Sequence, residues 1–165
     1  MIFLSVGTQE PFDRLAAAVD QWAAVHDVPV FGQLGAMKPG SYRPQHFEWS
    51  AFLPADQYLD KLRESRLLVA HVGMGSIISA LTHGKPLVML ARRASLGEHR
   101  NEHQLASAER FRGRPGLHVA DDEQEVGARI DAVLAEAGKR GAGGLSPHAT
   151  PELIAALRGF LQGAG

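Results

Sequence analysis

Residues 67–86 constrain the fold of this chain more than any other stretch. They open with the apolar run LLVA at 67–70, whose length and β-branched character indicate a buried strand. A glycine-containing turn follows at residues 71–76, and apolar residues then recur at helical spacing until Gly84. A strand, a glycine turn and a helix in this order point free backbone N–H groups at an anion. The stretch therefore predicts a βα unit whose turn either binds phosphate or contains glycine for steric reasons alone.

The composition excludes several classes of protein. The 165 residues carry a net charge of −1, so no global field draws the chain to nucleic acid or to anionic lipid. The absence of cysteine excludes disulfides and thiolate metal sites and fits a reducing compartment. The apolar run at residues 1–6 is too short for a signal peptide, and no segment is long and apolar enough to cross a bilayer. One soluble domain is the expectation.

Strand-like and helix-like patterns alternate along almost the whole chain. This alternation predicts an α/β fold with a doubly wound, mainly parallel, Rossmann-like sheet that helices cover on both faces. If the strand order is 3-2-1-4-5-6, the turns at residues 7–9 and 71–76 face one crevice, which favours phosphate binding. Within this single domain we expect a core over residues 1–137, a flexible loop over 138–149 and a C-terminal helix over 150–162.

Four motifs together resemble a known family. They are SVGTQ at residues 5–9, FLP at 52–54, HVGMGSIISALTHGKP at 71–86 and NEHQLASA at 101–108. In order and spacing they resemble the C-terminal domain of glycosyltransferase family 28, the donor-binding half of MurG-type GT-B enzymes. The resemblance is strongest to the single-domain Alg13-like and PssE-like subunits and covers about residues 1–135. It implies a hexosyltransferase domain that takes a UDP-sugar as its donor substrate.

The resemblance and the predicted turns together define a nucleotide-sugar site. The resemblance places the base near Phe52 and Leu53, the diphosphate against residues 73–76 and the sugar beside residues 101–104. Relatives commonly bind the ribose through a glutamate where this chain has Ser79, whose hydroxyl would hold a sugar oxygen more weakly. The full set of predicted nucleotide-sugar-binding residues is Gly7, Thr8, Gln9, Phe52, Leu53, His71, Gly73, Met74, Gly75, Ser76, Ser79, Arg92, Asn101, His103 and Gln104.

Sugar transfer from a nucleotide diphosphate requires that the leaving diphosphate be stabilised. A metal ion can do so, and so can fixed backbone dipoles assisted by cations. The predicted crevice offers a helix N-terminus, two glycine turns and nearby Arg92, Arg93 and His71, but no Asp-x-Asp pair to hold a divalent cation. We therefore expect metal-independent transfer, with no cofactor besides the UDP-sugar itself.

The resemblance also implies that the chain is half of an enzyme. A GT-B site is a cleft between two domains, and the acceptor and the catalytic base usually belong to the other domain. Because the sequence starts at the first strand of the donor domain, the expected partner is a PssD-like or Alg14-like acceptor-binding subunit anchored in the membrane. The acceptor would be lipid-linked or a polysaccharide precursor. The chain itself would be cytoplasmic, held at the inner face of the membrane through that partner.

Two alternative functions remain open at this stage. Residues 99–103 fit the His-x-x-Glu-His pattern of inverted zinc peptidases, with His99 and His103 on one helical face and Glu152 as the candidate third ligand. The same residues fall where the glycosyltransferase pattern expects its sugar-binding segment, which favours the transferase. The other alternative is a regulatory module that binds a nucleotide sugar without catalysis.

Overall fold

The computed structural model describes residues 1–140 and residue 155, and it shows one parallel sheet with helices on both faces. The strands are β1 (Ile2–Ser5), β2 (Val30–Gln33), β3 (Glu48–Ser50), β4 (Leu67–His71), β5 (Leu87–Leu90) and β6 (Leu117–Ala120). The helices are α1 (Asp13–Ala23), α2 (Ala55–Glu64), α3 (Met74–Thr82), α4 (His103–Phe111) and α5 (Glu123–Arg140), and a short 3₁₀ turn spans Ala94–Leu96.

The strand order confirms the predicted doubly wound, Rossmann-like α/β sheet. The order is β3-β2-β1-β4-β5-β6, and every neighbouring pair is parallel. The first three strands are added toward one side of the sheet and the last three toward the other. The switch point lies between β1 and β4, which pair with each other in the middle of the sheet. Because all the strands run the same way, the turns that follow β1 and β4 lie at the same edge of the sheet.

Alternation along the strands divides the core into two layers. In β1, Ile2 and Leu4 belong to the layer that α1 and α5 cover, whereas Phe3 belongs to the layer under α2, α3 and α4. The central strands are buried on both faces, which explains why residues 67–70 form a continuous apolar run rather than an alternating one. The sheet thereby forms a rigid support for the loops at its carboxyl edge.

Two boundaries differ from the sequence-based expectation. Helix α3 begins at Met74, with Gly73 as the N-cap of the helix. The turn is therefore shorter than the predicted turn at residues 71–76. Helix α5 continues to Arg140, three residues beyond the expected end of the core. The remainder of the expected loop, residues 141–149, and the expected helix over 150–162 lie outside the described residues, apart from residue 155.

A buried carboxylate on α1 holds the long β2–β3 loop in place. Asp20 is only 1% exposed, and it accepts hydrogen bonds from the backbone N–H groups of Gln45 and His46 and from the Tyr42 hydroxyl at 2.8–3.1 Å. Burial alone would raise the pKa of Asp20, but these donors outweigh burial and lower the pKa below its ordinary value. The loop is therefore fastened to α1 by an ionised side chain.

We expect Asp20→Asn to lower the free energy of unfolding by about 2 kcal/mol or more, because an amide nitrogen would face donors that now bond to a carboxylate. The lowered pKa means that the contribution is present above pH ~4, the unfolded value, and is lost as the pH falls through the folded value. Chemical denaturation between pH 3 and pH 7 tests this. Asp27→Asn, at an exposed loop position, is the control. Equal stability of the two variants at pH 7 would contradict the assignment.

Candidate functional site

The ring of His71 joins the two glycine turns at the carboxyl edge of the sheet. A Cβ built on Gly7, after β1, would lie 3.2 Å from Cε1 of this ring. A Cβ built on Gly73, after β4, would lie 2.3 Å from its Nε2. The imidazole thus fills the space between the two turns, and the structure brings together the turns that the sequence predicted to converge.

The two glycines are required for different reasons. Gly7 has a φ of 91°, a conformation that residues with a side chain rarely adopt. Gly73 has an ordinary extended φ of −123°, and it must be glycine because the His71 ring occupies the space of a side chain. Gly75 differs from both, since nothing lies within 4 Å of a Cβ built there. The surface above Gly75 is therefore open to a ligand.

The N-terminus of α3 provides free backbone donors beside this ring. Gly73 accepts the first intrahelical bond, from the N–H of Ile77 at 3.1 Å, and within the described residues no side chain caps the helix. The N–H groups of Met74, Gly75 and Ser76 precede that bond and therefore lack helical carbonyl partners. The helix dipole adds a partial positive charge at the same point. Such an end binds phosphate or carboxylate groups.

His71 presents a neutral ring rather than a cation to this site. Burial, assisted by the charge of Arg92, lowers the pKa of His71 to about 4. The imidazole is therefore uncharged at neutral pH. Its Nδ1 is buried and makes no hydrogen bond within the part of the chain that the structure describes. Of the side chains predicted near the crevice, His71 therefore adds no positive charge at neutral pH, whereas the arginines do.

Arg92 is buried beneath the site, and its hydrogen bonds go to backbone carbonyls. The residue is 4% exposed, and its guanidinium lies 4.6 Å over the ring of Phe12. It donates to the carbonyl oxygens of Val6 and Pro11 at 2.7 Å and of Glu10 at 2.9 Å. Arg92 therefore shapes the loop that contains Gly7, and its hydrogen-bonding nitrogens are engaged with protein atoms.

The predicted sugar-binding segment is held against this arginine. Gln104, in the first turn of α4, is buried, and its Oε1 accepts the backbone N–H of Arg92 at 3.0 Å. Asn101 is half-buried, and its Oδ1 accepts the N–H of the exposed His103 at 3.2 Å. Because the amide oxygen of Gln104 accepts the bond from Arg92, the amide nitrogen is the group that can donate to a ligand.

An ion pair that the sequence did not reveal fixes the loop between β5 and α4. Glu98 accepts two hydrogen bonds from Arg14 of α1, at 2.8 and 2.9 Å, and a third from the backbone N–H of Arg93 at 2.9 Å. Arg14 also donates to the carbonyl of Ala91 at 2.9 Å. Arg14, 84 positions from Glu98 in sequence, thus holds the loop that precedes the predicted sugar-binding segment.

The predicted base-binding residues lie at the end of β3. Phe52 is 61% exposed, so its ring is available to a planar ligand. Leu53 is buried, and its N–H donates at 3.0 Å to Oε1 of Gln33, which the sequence did not single out. The Leu53 N–H, one of the backbone groups that the resemblance places near the base, is therefore already bonded to the side chain of Gln33.

The remaining predicted site residues lie on the same edge. Thr8 and Gln9 are exposed in the loop after β1. Met74 and Ser79 are half-buried on α3, and Ser76 is buried one turn from Ser79. Two clefts lie at the amino edge of the sheet. Their lining residues include no member of the predicted site.

The helical zinc motif is not formed. Helix α4 begins at His103, so His99 and Glu102 precede it and the two histidines do not share a helical face. Glu102 instead accepts the backbone N–H of Ser95 at 3.1 Å. Among the described residues no group of three or more metal-binding side chains is assembled, and Glu152 lies outside them. The prediction of paired histidines on a helix was wrong because the turn at residues 97–102 delays the start of α4.

The class of the fold is clear from solved structures that superpose on nearly the whole chain. Rice Os79, a structure in complex with UDP, covers 98% of this chain and 35% of its own, with a TM-score of 0.61 at 14% identity. The glycosyltransferase of kitacinnamycin covers 98% and 38%, with a TM-score of 0.58 at 21% identity. The calicheamicin glycosyltransferase CalG4 gives a TM-score of 0.56. The chain has the Rossmann-like α/β fold found in GT-B glycosyltransferases.

Sequence comparison points to a particular kind of glycosyltransferase chain. No family model matches the chain. It is 30% identical over 112 residues to human UDP-N-acetylglucosamine transferase subunit ALG13 and 28% identical over 108 residues to the mouse protein. Each match covers 61% of this chain, which spans about a tenth of the length of those relatives (10% and 9%). These similarities confirm the resemblance to an Alg13-type domain of family 28.

Proposed function

We propose that this chain is the donor-binding subunit of a two-component, metal-independent hexosyltransferase that takes its sugar from a UDP-sugar. The observation that carries the proposal is the junction of two glycine turns and the uncapped N-terminus of α3 around His71. Such a junction at the switch point of a parallel sheet suits a nucleoside diphosphate. The similarity to human ALG13, which is named as a UDP-N-acetylglucosamine transferase subunit, supports the choice of donor.

In this proposal the diphosphate lies on the first turn of α3. The N–H groups of residues 74–76 donate to its oxygens, and the Ser76 hydroxyl adds a side-chain donor. Backbone dipoles fixed by the fold need no reorganisation when the diphosphate leaves with additional charge. Departure therefore needs no divalent cation. The neutral ring of His71 keeps the two turns at the correct separation.

The other parts of the donor occupy the flanking loops. The uracil ring stacks on the exposed Phe52, and the ribose faces the half-buried Ser79 of α3. The sugar lies against Asn101, His103 and the amide nitrogen of Gln104. Because Gln104 also accepts a bond from the backbone of Arg92, its position is set before the donor arrives.

The acceptor and the catalytic base belong, in this proposal, to a partner subunit of the PssD-like or Alg14-like kind. The word subunit in the names of both curated relatives supports an assembly. The partner would be anchored in a membrane and would present a lipid-linked or polysaccharide-precursor acceptor to the carboxyl edge of the sheet. Within the described residues, no helix has the length and apolarity that a membrane span requires. In this proposal the partner provides the membrane attachment.

Binding of UDP to the purified chain tests the proposal directly. We expect saturable binding at micromolar to millimolar UDP, unchanged by EDTA, with the amide resonances of residues 7–9 and 73–76 among the most strongly shifted. Calorimetry and NMR titration with UDP, UMP and GDP measure it. If these amides do not move at millimolar UDP, the site is not a diphosphate site. A chain that binds UDP but transfers no sugar with any acceptor-binding partner would instead be the regulatory module.

A further inference from the structure

Arg92 is a buried cation that lacks a carboxylate partner. Among the described residues, no Asp or Glu oxygen lies within 4.0 Å of its guanidinium nitrogens. The acidic side chains that act on it electrostatically are Glu98 and Glu10, and each is already paired with another cation. Glu98 forms its ion pair with Arg14, and Glu10 forms a short ion pair with Lys38. Arg14 also pairs with Glu123, so Glu98 shares its cation and, like Glu10, stabilises Arg92 only through space. Among the described residues, no carboxylate therefore contacts Arg92 to compensate its charge directly.

An uncompensated buried charge costs free energy unless something else stabilises it. Backbone carbonyls of Val6, Glu10 and Pro11 accept its N–H groups, and the Phe12 ring lies under its plane. These contacts satisfy its hydrogen bonds but add no negative charge. Burial accordingly lowers the pKa of Arg92, although the guanidinium stays protonated at neutral pH. The guanidinium of Arg92 is thus a buried cation held by neutral acceptors, with no carboxylate in contact among the described residues.

The location of this charge connects it to the two glycine turns. Val6, which accepts one of its shortest hydrogen bonds, directly precedes Gly7. The charge also reaches His71, because it helps to lower the pKa of that imidazole. His71 lies between the two turns, so Arg92 acts electrostatically on the space where an anion would bind.

We propose that Arg92 is a fixed cation that favours a nucleoside diphosphate at the α3 N-terminus through space, without touching it. This inference rests on the proposed function and deepens it. Because the guanidinium is held by carbonyls before the ligand arrives, its field is preorganised for the bound and the leaving diphosphate alike. The energy of interaction grows with the charge of the ligand, so the preference for UDP over uridine should depend on Arg92.

Two substitutions separate the charge from the hydrogen bonds. Arg92→Lys keeps the charge and one donor group, whereas Arg92→Gln keeps a donor group and removes the charge. Arg93→Gln is the matched control, because it removes a neighbouring guanidinium that bonds to the carbonyl of Asp121. Calorimetry with UDP, UMP and uridine gives the ratio of affinities for each variant. NMR titration of the ligand-free proteins gives the pKa of His71.

We expect Arg92→Gln to reduce the ratio of UDP to uridine affinity by about tenfold or more, and Arg92→Lys and Arg93→Gln to keep most of it. The pKa of His71 should rise in Arg92→Gln and stay low in Arg92→Lys. Equal losses of UDP and uridine affinity in Arg92→Gln would assign Arg92 a purely structural role and overturn the inference while leaving the proposed function intact.

The inference remains testable if the proposed function fails or if the variants do not fold. Wild-type protein that binds no UDP would overturn the proposed function and, with it, the ligand assigned to Arg92. A His71 pKa in folded Arg92→Gln equal to that of the wild type would show that the charge does not reach the site. If neither Arg92 variant folds, a wild-type His71 pKa near the ordinary 6.5 would still overturn the inference, because burial and the charge of Arg92 are both expected to lower that pKa.

Discussion

Gly73→Ala is expected to abolish UDP binding and to lower the free energy of unfolding by about 2 kcal/mol or more, the range of a forced overpacking. A Cβ at this position would lie 2.3 Å from Nε2 of His71, which is closer than real Cβ contacts come. Either the ring or the turn must move. The ring is confined on its other side by Gly7, so the displacement would reach both turns and the first turn of α3.

A neighbouring glycine supplies the control for stability. Nothing lies within 4 Å of a Cβ built on Gly75, which has no positive φ and belongs to the first turn of α3. Alanine there should keep or slightly raise the stability, because alanine is the better helix former. Thermal and chemical denaturation of the two variants compare a closed position with an open one in the same turn. If both alanines leave stability and UDP affinity unchanged, the packing described for His71 is wrong.

The source of the clash can be tested by removing the ring. His71→Ala vacates the space that a Cβ on Gly73 would enter. In a double-mutant cycle, Gly73→Ala should therefore cost much less in the His71→Ala background than in the wild type. A cost that is the same in both backgrounds would place the strain in the backbone of the turn rather than in the contact with the imidazole.

The strand order and the convergence of the glycine turns were predictable because both follow from local patterns. Residues 67–70 and 87–90 form short apolar runs that are typical of a parallel strand buried on both faces. Alternating strands and helices then leave few topologies, and the switch point follows from the order of the strands. The glycines at positions 7 and 73 indicated two turns at this edge, although not which side chain fills the space between them. The start of α3 was misplaced because helix ends are weakly encoded.

The electrostatic arrangement could not be predicted, since its partners are far apart in sequence. Arg92 bonds to Val6 across 86 positions, and Arg14 pairs with Glu98 across 84. No periodicity links such residues. An arginine two positions after a buried strand is as consistent with an exposed loop as with a buried cation. The hydrogen bond between Gln33 and Leu53 could not be predicted either, because a glutamine at the end of a strand does not indicate which group its side chain contacts.

The largest effect that we expect is on turnover, which should appear only when an acceptor-binding subunit is present. The acidic side chains nearest the glycine turns, Glu10 and Glu98, are paired with Lys38 and Arg14. Pairing with Lys38 lowers the pKa of Glu10 and makes it a weaker base, whereas both carboxylate oxygens of Glu98 already accept hydrogen bonds from Arg14. His71 is neutral, but its Nε2 lies against Gly73 and its Nδ1 is buried. These three side chains therefore offer no base to an incoming acceptor.

The test is transfer of labelled sugar from UDP-sugars to lipid-linked acceptors, by the purified chain and by the chain co-expressed with a PssD-like or Alg14-like subunit. We expect no transfer above background from the chain alone. The partner should raise the rate by about a hundredfold or more, the contribution of a positioned general base. UDP binding measured on the same preparation shows that the isolated chain is folded. Gly73→Ala in the co-expressed complex should remove the transfer again. Robust turnover by the chain alone would place a complete active site within it and refute the two-component proposal.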